Sequence, residues 1–526
     1  MNWEFPHASR RMPVLADQVV ATSQPLAAQA GLQAMAQGGN AVDAVVATAA
    51  ALTVVEPVMN GLGSDAFAML WDGQSVKALN ASGRAPRAWT PQRFAGLAHM
   101  PVHGWDAVTV PGAVSAWIAL WKEQGSLPLQ VLFAPAIRYA LEGFAVTPRV
   151  ARQWASQAPQ LAMQPGFAET FLPGGRAPRA GERFRMPAVA RSLALIAQTE
   201  GRAFYQGEIA DAIVAHAQAH GGALSHEDLA AHRADWVEPL RMDYRDAQVL
   251  QMPPNGQGIA VQIALGILAH FDLSGSTPLA RRMHLQIEAM KIAFADVYQW
   301  VSDPSTMRLS VQDLLDPAYH RTRAAAIDPA RAQAWTARPL APGNTVYIAA
   351  ADRQGRLVSF IQSNFQGFGS GVVVPEVGVS LLNRGSGFSL DPAHPNHVAG
   401  GKRPFHTILP AMLLREERPL AALGVVGADM QPQGQVQVIS DLLDRQANPQ
   451  AAMDAPRWRI AQDDGRIRLE SGVPAPVAAE LAALGHRVEI AASDSIEFGG
   501  GQLVWRLEDT WAGASDPRRD GCAAGF

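Results

Sequence analysis

Between Pro25 and Thr53 small apolar residues recur at helical spacing on both sides of Gly38-Gly39-Asn40. Paired glycines suit a helix C-terminus, and Asn40 followed by Asp43 suits the start of the next helix. The segment reads as helix, turn and a second, Ala/Val-rich buried helix ending before Pro57. Asn60-Gly-Leu-Gly-Ser-Asp65 reads as a turn, and residues 66–71 and 75–80 as strands joined by an Asp72-Gly73 hairpin. From Pro111 to about Gly275 the pattern is mainly helical, with apolar residues at spacing three and four over 112–121, 129–142, 188–199 and 209–220. Met252-Pro-Pro-Asn-Gly-Gln-Gly258 interrupts it. Met283, Ile287, Met290, Phe294 and Val297 then form one stripe, read as a core-facing helix side.

Residues 321–343 are rich in Ala, Arg and Pro, with little periodicity, and read as a long exposed connection. Beyond it the character changes. Residues 345–351, 357–363, 378–382, 411–416 and 420–426 read as strands, 436–443 and 476–484 as helices, and 487–491 and 501–506 as closing strands.

Composition narrows the function classes. The 526 residues carry a formal charge of -4, with 48% hydrophobic and 17% charged residues. That supports a packed globular chain and supplies no basic footprint for nucleic acid. Length alone, at about 150 residues per domain, points to three or four domains. One cysteine, Cys522, forbids an internal disulfide and a cysteine-based metal cluster. No apolar run approaches the ~18 residues of a membrane span, and Met1–His7 lacks a basic and apolar leader pattern, so a soluble, cytoplasmic protein is expected. There is no Gly-x-Ser-x-Gly elbow, Ser-x-x-Lys or phosphate loop. His226-Glu227 and His232 are wrongly spaced for a zinc helix and read as a surface helix start. Gly367-x-Gly-x-Gly lacks dinucleotide-fold context. Neither cofactor nor metal is expected.

Thr345, in Gly343-Asn344-Thr345-Val346-Tyr347, opens the first strand after the irregular stretch. Around it lie, in order, Gly38-Gly-Asn-Ala-Val-Asp43, Asn60-Gly-Leu-Gly63, Ala85-Pro86, Pro253-Pro254, Glu288-Ala-Met-Lys291, Asp303-Pro304, Phe368-Gly369, Lys402-Arg-Pro404 and Gly513-Ala-Ser-Asp-Pro517. In this colinear set the chain resembles the gamma-glutamyltransferase family of N-terminal nucleophile hydrolases over nearly its whole length.

The resemblance implies an α+β fold, a four-layer αββα sandwich, and a precursor that cuts itself between Asn344 and Thr345. Segments 1–344 and 345–526 would then form one interleaved domain as a heterodimer of fragments, and processed units could pair as a homodimer. Self-cleavage frees an α-amine whose ordinary pKa of about 7.7–8.0 suits a general base, so one residue holds nucleophile and base. A small-molecule amide would be attacked through an acyl-Thr345 intermediate. Gly427 and Ala428 stand where the family supplies backbone donors to the oxyanion, with alanine in place of the second glycine. Ser363 stands where the family has a threonine bonded to the nucleophile. Phe365 occupies the position of the family's amine-orienting asparagine, one residue from Asn364.

The substrate pocket departs further. Ser82 replaces an arginine for the substrate α-carboxylate, with Arg84 two residues on. Asn383-Arg-Gly-Ser-Gly387 lacks the groups that hold an α-amino group, and Arg384 inverts the charge. His406-Thr407 replace a serine pair. A site that loses acids and keeps arginine favours a carboxylate over an ammonium group. The expectation is an amidohydrolase or acyltransferase for short carboxylate-bearing acyl groups, such as glutaryl, oxamyl or modified γ-glutamyl, with Arg84, Asn364, Arg384, His406 and Thr407 as substrate-binding candidates. The alternative is an uncleaved, non-catalytic relative serving as a binding or structural protein.

Overall fold

The strands Asp65–Trp71 and Leu357–Phe365 are buried at every position. A sheet covered on both faces needs a partner layer on each, and the computed structural model, which describes residues 11–335 and 343–526, supplies two different ones. One face meets a second sheet: Phe67, Met69, Tyr347, Ala349 and Ile361 interdigitate with Leu250, Met412, Ala422, Val426 and Val504. The other face lies under helices, chiefly Ala41–Val55, every residue of which is buried. The helices Ile259–Leu268, Leu279–Trp300 and Met430–Leu443 cover the outer face of the second sheet. This is the four-layer αββα sandwich.

Both sheets have seven strands and pair antiparallel throughout. The first runs Cys522–Gly525, Val19–Thr22, Asn344–Ala351, Leu357–Phe365, Asp65–Trp71, Val76–Asn80, Asp235–Val237. The second runs Val14–Ala16, Trp511–Ser515, Gly500–Arg506, Arg418–Val426, Ala411–Arg415, Ala247–Gln251, Leu240–Tyr244. Each sheet mixes strands from before and after residue 344, so neither part completes a sheet alone. The three or four domains expected from length are therefore replaced by one interleaved core.

Asn40 caps the second helix as expected, accepting from Val42 and Asp43 N–H while Asp43 closes a capping box. The mainly helical reading of 111–275 is corrected by strands Asp235–Val237, Leu240–Tyr244 and Ala247–Gln251, the last two pairing as a hairpin. The irregular reading of 321–343 is corrected at its start, where the helix Pro317–Ala325 runs on from an Asp316 cap. Residues 336–342 of that stretch lie outside the described residues. His226 starts a surface helix, but His232 is buried and bonds Ser115. No helix of the described residues is long and apolar enough to cross a membrane.

Candidate active site around Thr345

Thr345 lies at a fault in the ladder between Asn344–Ala351 and Leu357–Phe365. Asn344 pairs with Phe365 and Val346 with Gln362, so Thr345 alone faces Ser363 and Asn364. Such a bulge leaves one residue unpaired and re-aims its neighbours. The buried Thr345 Oγ1 donates to Ser363 Oγ at 3.1 Å and accepts from Gln431 Nε2 at 3.3 Å. Ser363 Oγ also accepts the Phe365 N–H at 2.8 Å. Phe365 pays for that turn with φ 78, a backbone region that bulky side chains avoid. Asn344 and Thr345 are consecutive residues of one strand.

Gly427 and Ala428 follow the strand Arg418–Val426 and precede the helix Met430–Leu443. Their φ values are 119 and 50, so alanine sits in the left-handed region that glycine enters freely. The Ala428 carbonyl is held by Gln257 Nε2 at 2.9 Å. No loop or turn hydrogen bond among the described residues uses the N–H of Gly427 or Ala428. A Cβ built on Gly343 would come within 3.1 Å of Ala428 Cβ and 2.7 Å of Phe365 O, so the residues before Thr345 pass close beside this loop.

Arg384 is completely buried. Its guanidinium stacks 4.1 Å from the Phe365 ring centroid, and Nη1 donates to Thr407 Oγ1 at 2.8 Å. Nε and Nη2 have no hydrogen-bond partner among the described residues. Burial pushes the guanidinium down to about 9, against the pull of nearby Asp65. Asp65 sits directly across the ladder from Ser363. It accepts from Gly83 N–H at 3.0 Å and lies 3.0 Å from His406 Nε2. Burial raises Asp65 to about 7, opposed first by Arg384. Burial, with Arg384 and Arg403, drives His406 well below its usual range.

Ser363 bonds Thr345 directly, Arg384 and Thr407 connect to it through Phe365, Ala428 lies beside Gly343, and His406 is linked through Asp65, the ladder partner of Ser363. Two candidates lie apart. Asn364 points away: its Oδ1 accepts from Ser64 Oγ at 2.7 Å and its Nδ2 reaches toward Ser380. Successive strand residues alternate faces, which separates it from Ser363. Arg84 is half-exposed and meets Asp303 at 3.5 Å and the Gly401 carbonyl at 3.1 Å, in a surface cleft shared with Arg87, Arg233 and Arg403. Ser82 is buried in a network with Asn80 and Asn255, so the chain turns inward where an arginine would have to reach out. Sequence reading missed Gln431 and Asp65. Gln431 carries no pattern signal, since every residue of its helix from Met430 to Ser440 is buried, polar or not. Asp65 was visible as an acid opening an apolar strand.

Residues 27–526 match the model of the gamma-glutamyltranspeptidase family. The chain is 37% identical to the glutathione hydrolase-like YwrD proenzyme of Bacillus subtilis, covering 97% of this chain and 98% of that protein. It is 37% identical to the oxamate amidohydrolase proenzyme of Klebsiella pneumoniae, covering 95% and 97%. The crystal structure of a cephalosporin acylase from Bacillus halodurans superposes with a TM-score of 0.95 at 44% identity, over 100% of this chain and 99% of that one.

Proposed function

The chain belongs to the gamma-glutamyltranspeptidase family of amide-acting N-terminal nucleophile enzymes, and from that premise we propose that Thr345 is its nucleophile and a short carboxylate-bearing acyl amide its substrate. In the precursor the Thr345 hydroxyl attacks the Asn344 carbonyl carbon. The C–N bond breaks, an ester to Oγ forms, and water hydrolyses it to leave a free α-amine and an Asn344 carboxylate. Ser363 and Gln431 hold the attacking oxygen, one as acceptor and one as donor. In this reading the N–H groups of Gly427 and Ala428 receive the oxyanion, supported by the close approach of Ala428 to the chain at Gly343.

In turnover the α-amine takes the Thr345 hydroxyl proton as Oγ attacks the substrate amide. The same proton goes to the departing amine, and water then releases the acyl group by the reverse order of roles. Fragments 1–344 and 345–526 remain together because both contribute strands to each sheet.

The observation that carries the substrate class is Arg384: a buried guanidinium with two unpartnered donor positions beside the nucleophile's strand. A carboxylate offers the geometry those positions lack. Relatives named as an oxamate amidohydrolase and a cephalosporin acylase support an acyl pocket of this kind. The proenzyme names among the relatives disfavour the uncleaved, non-catalytic alternative. The test is a side-by-side assay of glutaryl-, oxamyl- and γ-glutamyl-p-nitroanilide. Preference for glutaryl or oxamyl is expected, and a clear preference for γ-glutamyl overturns the substrate class.

A further inference from the structure

Asp65, His406 and Arg384 are all completely buried, and together they hold an unusual balance of charge. The Ile408 N–H donates to His406 Nδ1 at 3.3 Å, which leaves the ring proton on Nε2, facing Asp65 Oδ2 at 3.0 Å. The aspartate and neutral imidazole therefore form a pair of net charge −1. The positive groups acting on Asp65 are Arg384 and, more weakly, Arg403; the Gly83 and Gly112 N–H groups add local dipoles, and Tyr205 is the other ionisable group it influences. Arg403 is engaged elsewhere, with Asp235 at 2.8 Å and the Ser82 carbonyl at 2.9 Å. Phe67, 4.8 Å from the His406 ring centroid, closes the apolar side. Among the described residues Arg384 has no ion-pair partner in contact, and Asp65 is the opposite charge that acts on it.

A substrate carboxylate bonded to Arg384 places a second anion on a single buried cation. Two like charges in one low-dielectric site cannot both stay ionised cheaply, and the weaker acid takes a proton. We propose that Asp65 and His406 form a proton-accepting counter-charge to Arg384, so that carboxylate entry is accompanied by uptake of one proton from solvent by the pair. Whether the proton rests on the carboxyl or the imidazole, the pair changes from −1 to 0 and the substrate inherits Arg384. The site thereby selects for charge: an uncharged acyl group releases no such repulsion and takes up no proton. This rests on the reading of Arg384 as the carboxylate anchor.

The experiment uses the processed enzyme with glutarate as ligand and butyramide as uncharged control. Calorimetry near pH 7.5 in two buffers of different ionisation enthalpy counts protons. Glutarate should bring more proton uptake in the unmodified enzyme than in Asp65→Asn, by most of one proton, the variant keeping glutarate binding and any uptake by the Thr345 α-amine; butyramide should bring none. With glutaryl-p-nitroanilide, KM should rise toward tenfold per pH unit above the Asp65 range of about 7, and stay flat for butyryl-p-nitroanilide. If Asp65→Asn does not fold, infrared difference spectra of the unmodified enzyme serve instead: glutarate should add a protonated-carboxyl or imidazolium signal. Glutarate that inhibits through Arg384, as shown by weakened inhibition in Arg384→Met, but binds without proton uptake overturns the role of the pair alone. Glutarate that does not bind at all overturns the reading of Arg384 as well.

Discussion

The Arg384 guanidinium lies 4.1 Å from the centroid of the Phe365 ring, and Phe365 N–H donates to the hydroxyl of Ser363 that receives Thr345. One strained residue, at φ 78, thus joins Arg384, the proposed carboxylate anchor, to Thr345, the proposed nucleophile. Charge-assisted hydrogen bonds contribute about 1.5–3 kcal/mol, so Arg384→Met should raise KM for glutaryl-p-nitroanilide about 10- to 150-fold. KM for a butyryl amide should change little. Equal losses for both substrates would assign Arg384 a structural role only.

Ser363 accepts two hydrogen bonds, from Thr345 and from the Phe365 backbone. Ser363→Ala removes the one oxygen that accepts both bonds and strands the buried Phe365 N–H, which costs about 1–3 kcal/mol. Slower self-cleavage, by about tenfold or more, and a lower urea midpoint are expected together. Ser363→Thr keeps the hydroxyl and should restore cleavage, as followed by gel densitometry over time.

Ala428 has φ 50. Left-handed backbone costs an L-residue about 1–2 kcal/mol, part of which glycine returns as unfolded-state entropy. Ala428→Gly should therefore be neutral to mildly stabilising and remain active. Ala428→Val should destabilise strongly and lose processing, because a β-branched side chain fits this region worst and Gly343 leaves it no room. Denaturant midpoints and cleavage rates of the two variants check both statements.

Burial raises the Asp65 and Glu56 carboxyls to about 7. The folded chain then binds protons that the unfolded chain has released, so the two groups contribute full stability below the ordinary carboxylate range. That contribution is lost as pH rises toward 7. Urea midpoints measured from about pH 5 to 7.5 should show a downward component that shrinks in Asp65→Asn. An unchanged slope in the variant would remove Asp65 from the pH response.

Much of this architecture is written in periodicity. The Asn40–Asp43 capping box, the hairpin around Asp72-Gly73 and the stripe on Leu279–Trp300 all follow local rules that tertiary packing did not override. Leu240, Met242 and Tyr244 alternate with Arg241 and Asp243, a strand signature hidden in a stretch read for helices. The four layers themselves were implied by resemblance, since periodicity shows which face is apolar and not what covers it. The site divides in the same way. Thr345 and Ser363 come together through a ladder fault that no spacing rule announces. Arg84 and Arg384 look alike in sequence, and only the fold sends one to the surface beside Asp303 and the other under Phe365. Asn364 was one residue from the right place, which on a strand is the wrong face.

The central claim is that Thr345 becomes a chain terminus and then the nucleophile. Intact mass and N-terminal sequencing of the purified protein test it most directly. Two fragments are predicted, 1–344 and 345–526, the smaller beginning Thr-Val-Tyr-Ile, with Thr345→Ala remaining whole and inactive. An active enzyme that stays a single chain, or a small fragment beginning at another residue, would contradict the account.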